Sequence, residues 1–250
     1  MKAVTVRLYG ALRDFLAPAQ RGGGELTHRF TGSPSVKDLL ESLGPPHPEL
    51  DLVLLDGQPV GLEARVEDGS RIAAYPAFSQ LEVPAAQRVG PPLPEQPRFV
   101  VDVGLGRLAG LLRMLGLDAL WRNDAKDAEL ARLSSSERRI LLTRDLGLLK
   151  RSEVVHGYFP RATDPSHQLV EVTRRYRLAE RMQPFTRCLA CNTPLQPAAL
   201  AEVRERVPPR IAASFEHFTA CPKCERVFWP GSHHARMERV VQRLRELDGR

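Results

Sequence analysis

Two groups of side chains in this 250-residue sequence are of types that do chemistry and fall at informative positions. The first group is acidic. Asp102 follows the apolar run Phe99–Val101, Asp124 closes ALWRND, and Asp145 closes ILLTRD, with Asp127 and Glu129 a helical turn further on. Acids at the carboxyl ends of parallel strands meet at one sheet edge, where open α/β folds bind ligands. Converging carboxylates repel one another and are unfavourable to bury unless a cation neutralises them. Oxygen donors without histidine or thiolate suit Mg²⁺ or Mn²⁺, which bind through a few carboxylates, waters and substrate phosphates. Such an ion polarises a phosphodiester and lowers the pKa of a bound water, so the chemistry expected is phosphodiester hydrolysis. On this reading Asp102 and Asp145 are direct ligands, Asp124 or Asp127 completes the set, and Arg107 and Arg144 meet substrate phosphate. Asp124, Asp127 and Asp145 equally suit helix capping. Asp102, inside VVDV, is expected within a buried strand, while Asp164 and His167 fit a cap and a solvated side chain.

The second group is the cysteines, Cys188-x-x-Cys191 and Cys221-x-x-Cys224, with 29 residues between the pairs. Two intervening residues let both thiolates of a pair reach one ion, and two such knuckles close a tetrahedral S₄ site without an open position. The expected role is therefore structural Zn²⁺, replacing a core that a short terminal region cannot easily supply. The separation is longer than a common ribbon spacing, which marks Pro197–Phe218 as a partly helical insertion. Disulfides are the alternative, disfavoured in a reducing compartment. Beyond the second knuckle come Phe228, Trp229, His233 and His234, then a helix with Met237, Val240, Val241, Leu244 and Leu247 on one face and Arg236, Arg239 and Arg243 on others. Trp229 either stacks on unpaired bases or packs on the knuckle, and His233 is a candidate substrate contact.

The elements that must position these residues follow from periodicity. Val4, Val6 and Leu8 alternate as a strand does, and Leu26–Phe30 is placed to pair with it. Ser35 and Asp38 open a short helix through Leu43, stopped by Gly44-Pro45-Pro46; strands follow at Leu52–Leu55 and Arg71–Tyr75, each beside an Asp-Gly turn. From Val83 to Arg98 prolines crowd together, predicting an extended, semi-rigid linker. After it, strands at Phe99–Val103, Asp118–Arg122, Arg139–Thr143 and Val154–Phe159 alternate with helices at Arg107–Leu117, Asp127–Leu133, Leu146–Arg151 and Pro165–Leu178, the pattern of a covered parallel sheet.

Charge separates the two halves. Residues 1–82 hold 8 basic and 11 acidic side chains, net −3, whereas residues 83–250 hold 28 and 19, net +9. The basic half favours a polyanionic partner through phosphate neutralisation. No apolar run approaches the roughly 20 residues of a membrane helix, and Met1–Gly10 lacks a signal-peptide core. The expectation is a soluble cytoplasmic protein with no membrane partner.

The motifs VTVRLYGALRDFL, SVKDLLESL and VEDGSRIAAYP resemble a β-grasp domain of the ubiquitin-like, molybdopterin-synthase small-subunit type. In that family a terminal Gly-Gly carries sulfur. Here the chain runs on through YPAFSQLEVP, which favours a docking or substrate-binding module over a sulfur carrier. Together, VVDVGLGRLAGLLRMLG, ILLTRD, the paired CxxC motifs and FWPGSHHARM make the chain similar to the mut-seven C-terminal RNase family. That resemblance implies an α/β fold: a PIN-like three-layer parallel-sheet domain at 99–184, preceded by an α+β ubiquitin-like β-grasp domain at 1–82 and the linker at 83–98. A zinc ribbon with a basic helix follows at 185–250. It implies a ribonuclease using Mg²⁺ or Mn²⁺, with Asp102 and Asp145 at the family's acidic positions and structured RNA such as tRNA as partner, together with a protein partner for the first domain. PIN-like sites often carry a further acid after the TRD position, where this chain has Leu146-Gly147-Leu148. A non-catalytic RNA-binding adaptor is the alternative.

Overall fold

A computed structural model describes residues 1–77 and 84–248, and the side chains up to Glu246. The expected domain edge at Glu82–Val83 and the side chain of Leu247 lie outside the described residues. In chain order the elements are β1 (Lys2–Leu8), β2 (Leu26–Phe30), α1 (Val36–Leu43), β3 (Leu52–Leu55), β4 (Gln58–Pro59) and β5 (Arg71–Tyr75). There follow β6 (Phe99–Val101), α2 (Gly106–Met114), β7 (Ala119–Leu120), α3 (Asp127–Ser136), β8 (Ile140–Leu142), α4 (Leu146–Leu149), β9 (Gly157–Tyr158) and α5 (Pro165–Tyr176). The last are β10 (Gln196–Ala198), α6 (Leu200–Val203), α7 (Pro209–Ser214), β11 (Phe218–Ala220), β12 (Val227–Phe228) and α8 (Ser232–Asp248). They form two compact units, Met1–Pro94 with Asp127–Phe159, and Glu95–Lys126 with Pro160–Arg250. The segment expected as one nuclease domain thus contributes to both units.

In the first unit, β1 to β5 form a mixed sheet in the order β2-β1-β5-β3-β4, with β1 and β5 parallel and the other pairs antiparallel. Alternation in β1 sends Val4, Val6 and Leu8 inward to meet Ile72, Ala74, Val53 and the Val36, Leu39 and Leu40 face of α1. This is the β-grasp arrangement expected. Ser35 caps α1 by accepting from Asp38 N at 3.1 Å and donating to its carboxylate at 2.8 Å. The two-residue β3–β4 turn has Asp56 at φ 51° and Gly57 at φ 82°, a left-handed pair that matches the hairpin twist. The Pro-rich stretch, expected as an extended, semi-rigid linker, is tied to the β-grasp sheet near its start. Arg88 pairs with Asp51 at 2.6 Å, Val89 N donates to Asp51 O at 2.9 Å, and Val89 packs on the β-grasp core.

The same unit contains α3, β8, α4 and β9. Strands β8 and β9 are parallel, with Leu141 opposite Gly157 and Leu142 opposite Tyr158. Ile140, Leu141 and Leu142 are fully buried, and Leu148 and Leu149 of α4 are buried too. Such a continuous apolar run suits a parallel strand covered on both faces.

In the second unit, β6 and β7 are parallel, pairing Phe99 with Ala119 and Val100 with Leu120. Helix α2 buries Leu108, Leu112 and Met114 and packs against α5, where Tyr176 meets Phe99 edge-on at 5.9 Å. The alternating strands and helices of the two units bear out the α/β reading. The chain then forms the antiparallel sheet β10-β11-β12, whose small core of Val203, Val207 and Phe218 is built largely from the predicted insertion. Helix α8 lies against α5 and the 3₁₀ turn Ala179–Arg181, with Val241 and Leu244 buried. No helix among the described residues is long and apolar enough to cross a membrane.

Candidate functional site

The two cysteine knuckles are conformational copies. In each, the first cysteine's N–H donates to the carbonyl five residues on: Cys188 to Thr193 and Cys221 to Arg226, both at 2.9 Å. In each, the residue after the second cysteine bonds back to the first cysteine's carbonyl, Asn192 at 2.9 Å and Glu225 at 3.0 Å. Both of those residues are left-handed, at φ 70° and 60°. The turns bring Cys188 Sγ to 3.5 Å from Cys224 Sγ and Cys191 Sγ to 3.4 Å from Cys221 Sγ, and all four sulfurs lie within 4.8 Å of one another. Tetrahedral Zn–S bonds of about 2.3 Å place sulfurs about 3.8 Å apart, so the set fits zinc in number, type and spacing. Burial pushes the Cys188 thiol up to about 12. At Cys191 burial also acts upward, but hydrogen bonds from the Thr193 side chain and backbone, with Cys221 and Cys188, outweigh it and bring that thiol to about 6. Four protein donors leave no open position, so an ion bound here would hold the fold.

The first knuckle is tied to α2 and β7 by residues that local sequence patterns do not reveal. Arg113, only 3 % exposed, donates to the carbonyls of Ala119, Leu189 and Ala190 at 2.9, 3.1 and 2.8 Å. Burial pulls its guanidinium below the usual arginine value, against the attraction of Cys191, Cys188 and Asp118. Asn192 Nδ2 donates to Asp118 at 2.7 Å while its Oδ1 accepts from Ala119 N at 3.1 Å. Gly116 sits at φ 80° with the Gln183 carbonyl where a Cβ would stand. The periodicity of α2 does not single out Arg113; the available signal is a cation flanked by the apolar Leu112 and Met114.

The acidic residues fall on strand ends or helix starts. Strand β6 stops at Val101, so Asp102 is not within the strand as expected but just beyond it, half-buried, at the start of the 3₁₀ turn Val103–Leu105. The reason is local: Leu105 N bonds to Asp102 O at 2.9 Å and turns the chain before a further ladder pair forms. Because β6 and β7 are parallel, Asp102 and the loop holding Asp124 leave at the same end of that pair. Asp124 is exposed and accepts from Arg122 Nε at 3.1 Å. In the first unit, Asp127 lies exposed in the first turn of α3, beside half-buried Glu129. Asp145 caps α4 by accepting from Leu148 N at 3.1 Å, and its own N–H donates to Thr143 Oγ1 at 2.9 Å. Asp164 is the expected cap of α5, accepting from Ser166 N and His167 N. Among the described residues, the four cysteines are the group of three or more metal-ligating side chains with donor atoms this close together.

Of the expected substrate contacts, Arg107 is exposed in the first turn of α2 and Arg144 is exposed with its guanidinium 5.3 Å from the centre of the Phe159 ring. Trp229 packs half-buried on the Val203, Val207 and Phe218 cluster. His233 is exposed at the start of α8, whereas His234 packs on Phe185 with ring centres 4.1 Å apart. Arg236, Arg239 and Arg243 are exposed along α8, away from its apolar face.

No curated protein and no solved structure matches the chain. Two family models do. Residues 1–82 match the Mut7-C ubiquitin model, in agreement with the β-grasp sheet. Residues 97–241, spanning the parallel strands, Asp102, Asp145 and both cysteine knuckles, match the model of the Mut7-C RNAse domain, and the chain belongs to that family.

Proposed function

We propose that this chain is a metal-dependent ribonuclease of the cytoplasm, acting on structured RNA such as tRNA, with zinc at the cysteine knuckles. The match to the Mut7-C RNAse domain carries this reading, and the acids at the ends of β6 and β8 support it. Asp102 and Asp145 would hold Mg²⁺ or Mn²⁺, with Asp124 or Asp127 completing the set; their hard carboxylate oxygens suit either ion. Such an ion supplies charge neutralisation at the scissile phosphate and a more acidic water. The N-cap bond from Leu148 fixes one oxygen of Asp145, which leaves the other for ligation. Arg107 and Arg144 would grip phosphate, and Arg144 is preoriented by the Phe159 ring. The exposed arginines of α8 would track the RNA backbone, with His233 and Trp229 at the entrance to that helix.

The deciding experiment gives the purified chain single-stranded and structured RNA with Mn²⁺, with and without EDTA. Cleavage that EDTA stops and Asp102→Asn abolishes, with RNA binding retained, is the expected result. A second reading, a non-catalytic RNA-binding adaptor, draws on the absence of an acid in Leu146-Gly147-Leu148. RNA binding without cleavage in any divalent metal would establish it and overturn the first.

A further inference from the structure

One stretch of the β-grasp domain is buried in an unusual way. Pro45 to Leu50 is buried throughout, although it includes His47 and Glu49, which are 9 % and 3 % exposed. Burying two such groups is unfavourable unless each is matched by a partner. Each has a partner more than a hundred residues away. His47 Nε2 is 2.7 Å from Val154 O, and its Nδ1 is 2.8 Å from Glu41 Oε1. Both ring nitrogens are thus matched by oxygen partners, a carbonyl and a carboxylate. Glu41 O accepts from Lys150 Nζ at 2.6 Å, and Glu49 Oε1 accepts from Phe159 N at 2.7 Å. Phe15 adds an edge-on contact to the Phe159 ring at 5.7 Å.

These anchors are not spread evenly over the surface. They converge on Lys150, Val154 and Phe159, which follow α4 and end β9. Asp145 caps α4 at its other end, and Phe159 is the ring beneath Arg144. We propose that the ubiquitin-like domain works in cis: its partner is this chain's own Lys150–Phe159 segment, and its Glu41–Glu49 stretch is a clamp that positions Arg144 and Asp145. Glu49 and His47 are thus positioning residues acting through Phe159 and Val154. The clamp itself stands on geometry; its consequence for catalysis rests on the ribonuclease reading.

The test uses the full chain with zinc, comparing Glu49→Ala, Glu49→Gln and His47→Ala with the parent by amide exchange and steady-state RNA cleavage. The loss of a charge-assisted buried hydrogen bond raises local exchange by about tenfold or more. Glu49→Ala and His47→Ala should do this across residues 146–159 while the cysteine knuckles exchange as before. Glu49→Gln, which still accepts from Phe159 N, should restore most of the protection. Cleavage by the alanine variants should show a lower kcat with little change in KM. Unchanged exchange over 146–159, or equal loosening of every region, overturns the clamp even if the parent cleaves RNA. Local loosening with unaltered kcat overturns the positioning role. Local loosening in a parent that cleaves no RNA supports the clamp and removes the ribonuclease reading alone.

Discussion

Asn192 and Glu225 hold the same left-handed backbone in the two knuckles, at φ 70° and 60°, but only Asn192 uses its side chain to reach outside its own turn. A left-handed non-glycine residue costs of order 1 kcal/mol, which glycine removes. Glu225→Gly should therefore be neutral or stabilise the zinc-loaded chain by up to about 1 kcal/mol. Asn192→Gly gains less backbone relief, because asparagine already tolerates the left-handed region, and it removes the bonds to Asp118 and Ala119 N, so it should destabilise by about 1–3 kcal/mol net. Denaturant titration of the two variants checks this, and equal effects at both positions would remove the argument for Asn192 as the tie.

Chelation should act locally. The terminal sheet rests on a core of Val203, Val207 and Phe218, too small to replace four metal bonds. The β-grasp core is far larger and contains no cysteine. Zinc removal, or Cys188→Ser, should expose the 187–231 region to limited proteolysis while residues 1–77 stay resistant. A single cooperative loss of both regions would count against a purely structural local ion.

Arg113 satisfies three carbonyls on two elements with one guanidinium. Arg113→Met keeps most of the volume but leaves those acceptors without a donor, so destabilisation of about 3 kcal/mol is expected. Arg113→Lys should recover only part of it, because an ammonium cannot present the planar fork. Thermal melts of the zinc-loaded variants, with zinc content measured alongside, provide the test; full recovery by lysine would point to charge alone.

What was legible in the sequence had a local signature. Ser35 and Asp38 announced the start of α1, paired CxxC spacing announced the metal knuckles, and apolar runs announced β6 and β8. Asp102 was misplaced by a single step, since nothing in VVDV tells that the 3₁₀ turn begins there. β4 is two residues long and carries no alternation to read. The long-range ties made by His47, Glu49 and Asn192 join residues 73 to 110 positions apart. Partners that distant leave no period and no motif, so buried polar anchors emerged only from the folded chain.

Asp145 has two separable duties in the proposed site, capping α4 and ligating the catalytic ion. Asparagine caps a helix about as well as aspartate does. Asp145→Asn should thus abolish cleavage with a stability change under about 0.5 kcal/mol. Asp145→Ala should abolish it and also destabilise by about 1 kcal/mol. Paired activity and denaturation measurements decide the matter, and substantial cleavage by the asparagine variant would take Asp145 out of the metal set.

Arg236, Arg239 and Arg243 form no ion pair among the described residues, and they recur at the spacing that puts them along one stripe of α8. Met237, Val240, Val241 and Leu244 occupy the adjoining stripe and are half-buried or buried, so the arginines can be changed without touching the packed face. Each phosphate contact on single-stranded RNA adds about 0.7 to the slope of log affinity against log salt. Replacing all three by glutamine should lower that slope by about 2 and weaken binding most at low salt. The melting temperature should stay within a few degrees of the parent. RNA-binding isotherms across a salt series provide the measurement, and an unchanged slope would move the RNA path off this helix.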